Sequence, residues 1–88
     1  MSTTKSDIRN WINNGIKQNA THLLVIVDEF DWEDYPVYVH LSQDTAPVAT
    51  MRKHIDFYNN QSMQRVIEVY NLQHPIAPQL SEHRTWDL

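Results

Sequence analysis

The apolar run Leu23–Val27 constrains the fold more than any other stretch of this sequence. Its side chains are apolar at odd and at even positions, and three of the five are β-branched. That composition is typical of a strand with both faces buried. We therefore predict a strand over Thr21–Val27 and place it at the centre of a small sheet.

A first helix is predicted before this strand. Thr4 and Asp7 have the spacing of an N-terminal cap, and Asn19 can adopt the left-handed geometry that ends a helix. Gly15, the only glycine of the chain, lies inside the helix and costs roughly 1 kcal/mol relative to alanine. The apolar face is expected to comprise Ile8, Trp11, Ile12 and Ile16.

A second helix is predicted after Asp44 or Thr45, either of which can cap it, and Asn59 and Asn60 should end it. Its expected apolar face consists of Val48, Met51, Ile55 and Tyr58. Trp11 and Trp86 are both expected in or near the core.

Three further elements complete the prediction. A strand is expected at Val37–Leu41, after Pro36. The segment Met63–Leu72 fits either a helix or a strand, and its closely spaced β-branched and aromatic residues favour a strand. Pro75 or Pro78 should open a last helix that continues to about Arg84.

The order αββαβα predicts one small α+β domain over residues 1–88, built in two layers. The first two strands would form a hairpin, and the second helix would return the chain beside the first strand. The result is a three-stranded antiparallel sheet of order 2-1-3 with helices packed on one face. Strands two and three would then both leave an exposed edge. Since Val37–Val39 carry no charge that would block strand pairing, a homodimer is also predicted.

Five acidic residues occur within seven positions after the central strand: Asp28, Glu29, Asp31, Glu33 and Asp34. They contribute −5 to a net charge of −4, so the rest of the chain carries +1. The seven Lys and Arg residues are scattered and form no basic stripe. This distribution argues against direct binding to nucleic acid.

The strings ATHLLVIVDEFDWEDYPVYV, residues 20–39, and MQRVIEVYNL, residues 63–72, resemble a family of small uncharacterised proteins of bacteria and their phages. The similarity extends from the WI of the first helix to the LSEHR near the end. The resemblance implies a bacterial or phage origin and assigns no activity. The chain has no cysteine, no signal-peptide core and no run near the roughly 20 apolar residues of a membrane span, so a cytoplasmic location without membrane contact is expected.

Several kinds of chemistry lack their sequence motifs. The run LLVIVDE ends like the metal-binding strand of an ATPase, but the chain has no glycine-rich phosphate loop. Neither register of the acidic segment fits a calcium-binding EF-hand. His22 and His40 could lie together at the open end of the hairpin, but two histidines alone make a weak zinc site. We therefore predict no catalytic residue and no cofactor, and an enzyme is less favoured than a binding protein.

Three interpretations of function stay open. The leading one is a small non-enzymatic adaptor or inhibitor that docks on a basic protein surface. Its predicted partner-binding residues are Asp28, Glu29, Phe30, Asp31, Trp32, Glu33, Asp34 and Tyr35. The second is a metal-dependent hydrolase or small-ligand protein that uses Asp28, Asp31 and Asp34 on one side of a helical turn. In the third, the function lies elsewhere on the surface. A structural alternative for the aromatic residues is that Phe30 and Tyr35 fold back to close the end of the core.

Overall fold

The computed structural model describes residues 4–41, 46–80, 86 and 88. The elements in chain order are α1 (Lys5–Lys17), β1 (His22–Asp28), β2 (Glu33–Val39), α2 (Pro47–Asn59), β3 (Gln64–Asn71) and a short 3-10 helix, Ala77–Leu80. The strands form an antiparallel sheet of order β2-β1-β3. The predicted α+β class, the strand order and the choice of strand for Met63–Leu72 are therefore confirmed.

The two helices cover opposite faces of the sheet, so the expectation that helices pack on one face was wrong. Leu23 and Val25 pack in one cluster with Ile12 of α1. The alternate residues Leu24 and Ile26 pack in a second cluster, which contains Met51 of α2. The physical reason is the apolar character of β1 on both faces, because each face needs its own cover to be removed from water.

Helix α1 begins and ends as its sequence predicts. The Thr4 hydroxyl accepts a hydrogen bond from the Asp7 N–H at 3.1 Å, and the Asp7 carboxylate accepts one from the Thr4 N–H at 3.0 Å. Asn19 has a φ of 60° just after the helix. Ile16, expected on the apolar face, is instead half exposed.

Gly15 is needed where α1 crosses the sheet. A Cβ atom at this position would lie 2.6 Å from the Leu72 Cδ1 atom and 3.2 Å from the Tyr38 Cδ1 atom. The close approach of the helix to β2 and to the end of β3 therefore accounts for a residue that weakens the helix itself.

Helix α2 has Ala46 as its N-cap and Pro47 in its first turn, with no side-chain hydrogen bond at the cap. The predicted caps Asp44 and Thr45 lie outside the described residues. Met51 is fully buried, whereas Val48, expected on the apolar face, is exposed. Asn60 is the C-cap, as predicted.

The second strand and the last helix differ from the prediction in their bounds. β2 begins at Glu33 instead of Val37 and ends at Val39 instead of Leu41, so Glu33 and Asp34 of the acidic segment belong to a strand. The last predicted helix is represented by the 3-10 helix Ala77–Leu80, and its expected end near Arg84 lies outside the described residues. Trp11 and Trp86 are both half buried against the core clusters, as expected.

Candidate functional site: an acidic and aromatic turn

The acidic–aromatic turn, defined as residues 28–35, joins β1 to β2 at one end of the sheet. Asp28 pairs with Glu33 across the hairpin, so the connection itself is only residues 29–32. The Asp28 carboxylate accepts a hydrogen bond from the Phe30 N–H at 2.9 Å, and the Asp31 carboxylate accepts one from the Glu33 N–H at 3.2 Å. Two of the five carboxylates therefore act within the chain to fix the turn.

The aromatic side chains of the turn divide into two groups. Phe30 is 79% exposed and Trp32 is 58% exposed. Tyr35 is half buried and packs against the core cluster on the α2 face. Burial first, and then the neighbouring Tyr58 and Asp28, raise the pKa of Tyr35 above its usual 10.0. The alternative in which Phe30 and Tyr35 both fold back is thus correct for Tyr35 and wrong for Phe30.

Trp32 and Met63 have backbone geometry that large side chains rarely adopt. Their φ angles are 59° and 60°, in the left-handed region that favours glycine. Such a residue costs roughly 1–2 kcal/mol relative to the right-handed conformation. The Trp32 N–H donates to the Asp28 carbonyl at 2.7 Å, and the Glu29 N–H donates to the Met63 carbonyl at 2.7 Å. Two adjoining turns therefore both hold a bulky residue where glycine would fit more easily.

Met63 is part of this end of the molecule, although its sequence pattern predicted only a place in a strand. It precedes β3 and is 50% exposed. Met63 lies next to Glu29 because β1 pairs with β3 in a register that places Asp28 opposite Gln64. The strand order 2-1-3 was predicted, but the register that brings Met63 to the turn, with its shift between Val25 and Ile26, was not.

The carboxylates proposed for a metal site do not converge. Asp28 follows Leu24 and Ile26 in the alternation of β1 and so lies on the α2 face of the sheet. Asp34 lies opposite Val27 and lines a cavity beneath α1, on the other face. Within residues 4–41, 46–80, 86 and 88, no three His, Asp or Glu side chains are grouped closely enough to hold a metal ion. The strand that begins at Glu33 therefore separates residues that a helical turn would have gathered.

His22 and His40 are also separated. His40 is exposed and contacts the Gln18 carbonyl through Nε2 at 3.2 Å. His22 is 1% exposed, and its Nδ1 lies 2.9 Å from the Thr21 hydroxyl, which itself donates to the Val39 carbonyl. A hydroxyl that donates to the Val39 carbonyl favours the tautomer in which His22 Nδ1 is the donor. Among the described residues, the buried Nε2 of His22 has no hydrogen-bond partner.

Side chains of the same chain cover the outer edge of β3. The Val66 N–H donates to the Asn59 side-chain oxygen at 2.8 Å. Near the other end of the strand, the buried Gln79 amide accepts from the Asn71 N–H at 2.7 Å and donates to the Asn71 carbonyl at 2.8 Å. The expectation that β3 leaves an exposed edge is therefore wrong at Val66 and Asn71, where side-chain amides take the place of a fourth strand.

The outer edge of β2 is interrupted by a proline. The Glu29 N–H, just past the end of β1, donates to the Met63 carbonyl on the β3 side. By strand alternation, the β2 partners of odd-numbered β1 residues therefore turn their backbone outward. Pro36, the partner of Val25, is one of these outward residues. Because proline has no N–H, one donor is missing from the middle of this edge.

A cavity of about 310 Å³ lies between α1 and the sheet. Val25 and Tyr70 contribute apolar surface to it. Its charged lining consists of Lys5 and Arg9 from α1 and of Asp34 and Glu68 from the edge strands. Opposite charges on the helix and the sheet indicate that these side chains help to hold α1 in place. The volume of the cavity is also at the lower limit of small-molecule binding sites.

No protein-family model, no curated protein and no solved structure matches the chain. The resemblance to small bacterial and phage proteins therefore stays a prediction. Neither α1 nor α2, nor any other helix of the described residues, is long and apolar enough to cross a membrane.

Proposed function

We propose that this protein is a small adaptor or inhibitor that docks on a basic surface of another protein through its acidic–aromatic turn. In keeping with the family resemblance, the partner would be a cytoplasmic protein of a bacterial host, and the chain itself would be of bacterial or phage origin. The turn would supply charge for the encounter and aromatic surface for the bound complex.

The observation that carries this proposal is the state of Trp32. Its indole is more exposed than buried, and its backbone has a φ of 59° where a glycine would avoid strain. A residue that contributes little core packing and adds backbone strain is better explained by a contact outside its own chain. Tryptophan is also strongly enriched among the residues that dominate binding energies, which supports the same interpretation.

The charges around Trp32 support a basic partner. Asp31 and Glu33 are exposed on either side of it, and Glu29 lies in the same turn. Repulsion among clustered carboxylates slightly destabilises the fold, and a cationic surface would relieve it. Complementary charge mainly accelerates encounter, and its effect weakens as salt shortens the screening length to about 8 Å at physiological ionic strength.

We also keep the homodimer as a proposal and restrict it to β2. The edge of β3 is occupied by Asn59 and Gln79, so strand pairing between two copies would have to use β2. Docking through the turn does not depend on this dimer.

The test separates charge from aromatic surface. Asp31→Asn with Glu33→Gln removes two charges, and the asparagine side-chain oxygen at position 31 can still accept the hydrogen bond from residue 33. Trp32→Ala removes the indole. Asp56→Asn, on the exposed surface of α2, is the matched control for loss of charge. Host proteins captured by the wild-type chain are identified, purified and measured kinetically at low and physiological salt.

We expect the charge variant to lower mainly the association rate and to reduce its salt dependence. Trp32→Ala should raise mainly the dissociation rate, by a factor that corresponds to about 2 kcal/mol at a hot spot. Asp56→Asn should behave like the wild type. Equal recovery and equal salt response for all four proteins would show that the turn is not the binding surface.

A further inference from the structure

We infer that the binding surface extends from the acidic–aromatic turn onto the connection between α2 and β3, and that its partner is a cationic amphipathic segment. This inference rests on the proposed function, since it names a second part of the same surface and the chemistry that would bind there. Met63 is the residue that carries it.

Half of the large apolar residues that are exposed among the described residues lie at this end of the molecule. Six large hydrophobic residues are exposed among those the structure describes, and three of them are Phe30, Trp32 and Met63. The backbone hydrogen bond from Glu29 to Met63 joins their two turns, so these three residues belong to one continuous end of the sheet. Apolar groups that are grouped and exposed indicate an interaction site more strongly than single ones do.

Charge is distributed unevenly over this end. The hairpin side carries the carboxylates of residues 28–34. The other side, residues 59–64 with the sequence NNQSMQ, carries no charge. A complementary segment would therefore present lysine or arginine to the hairpin side and apolar side chains towards Met63, whose flexible thioether adapts to varied apolar shapes.

A second copy of the chain is a poor occupant of the same surface. Two copies meeting here would bring together two acidic turns of five carboxylates each. Like charges placed opposite one another oppose association. The charge of the surface therefore selects a cationic partner and not self-association.

The experiment uses a synthetic peptide of leucine, alanine and lysine, with leucines on one face and lysines along one side of that face. Binding is followed by the backbone amide signals of the full chain in two-dimensional NMR. Two control peptides replace either lysine by glutamate or leucine by serine. The protein variants are Trp32→Gly, Met63→Gly and, as a matched control, Ile16→Ala on the exposed end of α1.

We expect the leucine–lysine peptide to shift the signals of residues 28–35 and 60–64 together. The serine–lysine peptide should shift only residues 28–35, and added salt should abolish this effect; the glutamate peptide should shift neither group. Met63→Gly should weaken binding of the leucine–lysine peptide about tenfold, and Ile16→Ala should leave it unchanged. Because glycine accepts a φ of 60°, Met63→Gly should keep its melting temperature, so weaker binding could not be ascribed to unfolding.

Two results would overturn the inference in different ways. If Met63→Gly binds the peptide like the wild type while Trp32→Gly does not, the surface ends at the hairpin and the proposed function stands without its extension. If the wild-type chain binds none of the peptides at millimolar concentration, both the extension and the proposed cationic partner are wrong.

Discussion

Val25→Ala tests whether the core on the α1 face of the sheet stabilises this fold. Val25 is 1% exposed at the centre of β1, opposite Pro36 on one side and Glu68 on the other. The change removes two methyl groups. At about 0.8 kcal/mol for each buried carbon, the lost transfer free energy is about 1.6 kcal/mol.

A cavity term adds to this loss, and the structure limits its size. Val25 already borders the cavity beneath α1, so the space left by its methyl groups would join a volume that is partly open to water. We therefore expect a total loss near 2 kcal/mol and not the larger values of sealed cores. Leu24→Ala, on the α2 face with no exposed surface, should cost more, within about 2–5 kcal/mol.

The assay is urea unfolding followed by circular dichroism, with Glu33→Ala as the control. Glu33 is exposed at the start of β2, and its replacement should change the free energy of unfolding by less than about 0.5 kcal/mol. The slopes of the unfolding curves should agree if the same surface is exposed in each variant. Equal losses for Val25→Ala and Glu33→Ala would refute the reasoning, because the turn would then be as important to stability as the core strand.

Two further predictions concern His22 and Pro36. Burial first, and then the charges of His74 and His54, lower the pKa of His22 below 6.5. As the pH falls, the imidazole is therefore protonated in the unfolded chain before it is protonated in the folded one. The free energy of unfolding should decrease as the pH drops below about 6.5. Urea unfolding at about pH 7.5 and about pH 5.5 should show a smaller fall for His22→Leu than for the wild type, and an equal fall would contradict a buried neutral imidazole. Pro36→Val restores an outward N–H on β2 and should strengthen a homodimer formed by that edge, measured by sedimentation over a concentration series. An unchanged association constant would rule out the β2 edge as the contact, and a wild-type monomer at high micromolar concentration would contradict the homodimer itself.

Local sequence signals determined much of this fold. The capping box of Thr4 and Asp7 was readable because both partners lie within one turn of helix. The apolar run Leu23–Val27 identified the central strand, because its side chains are apolar on both faces of the strand and both faces therefore have to be covered. A short polar turn cannot enclose three aromatic rings, so the sequence also indicated that at least one of Phe30, Trp32 and Tyr35 would stay exposed.

Tertiary structure decided the features that depend on which residues meet across the sheet. Pairing with β1 drew Glu33–Pro36 into β2 and thereby placed Asp28 and Asp34 on opposite faces, which no local pattern of acids indicates. Pairing with β3 brought Met63 to the acidic–aromatic turn, although it lies far from Glu29 in the sequence. The packing of α1 against the sheet required Gly15 at the helix crossing. Sequence alone thus determined the elements. The register of the strands and the packing of a helix on each face of the sheet decided which side chains could act together, because these contacts join segments that are far apart in the chain.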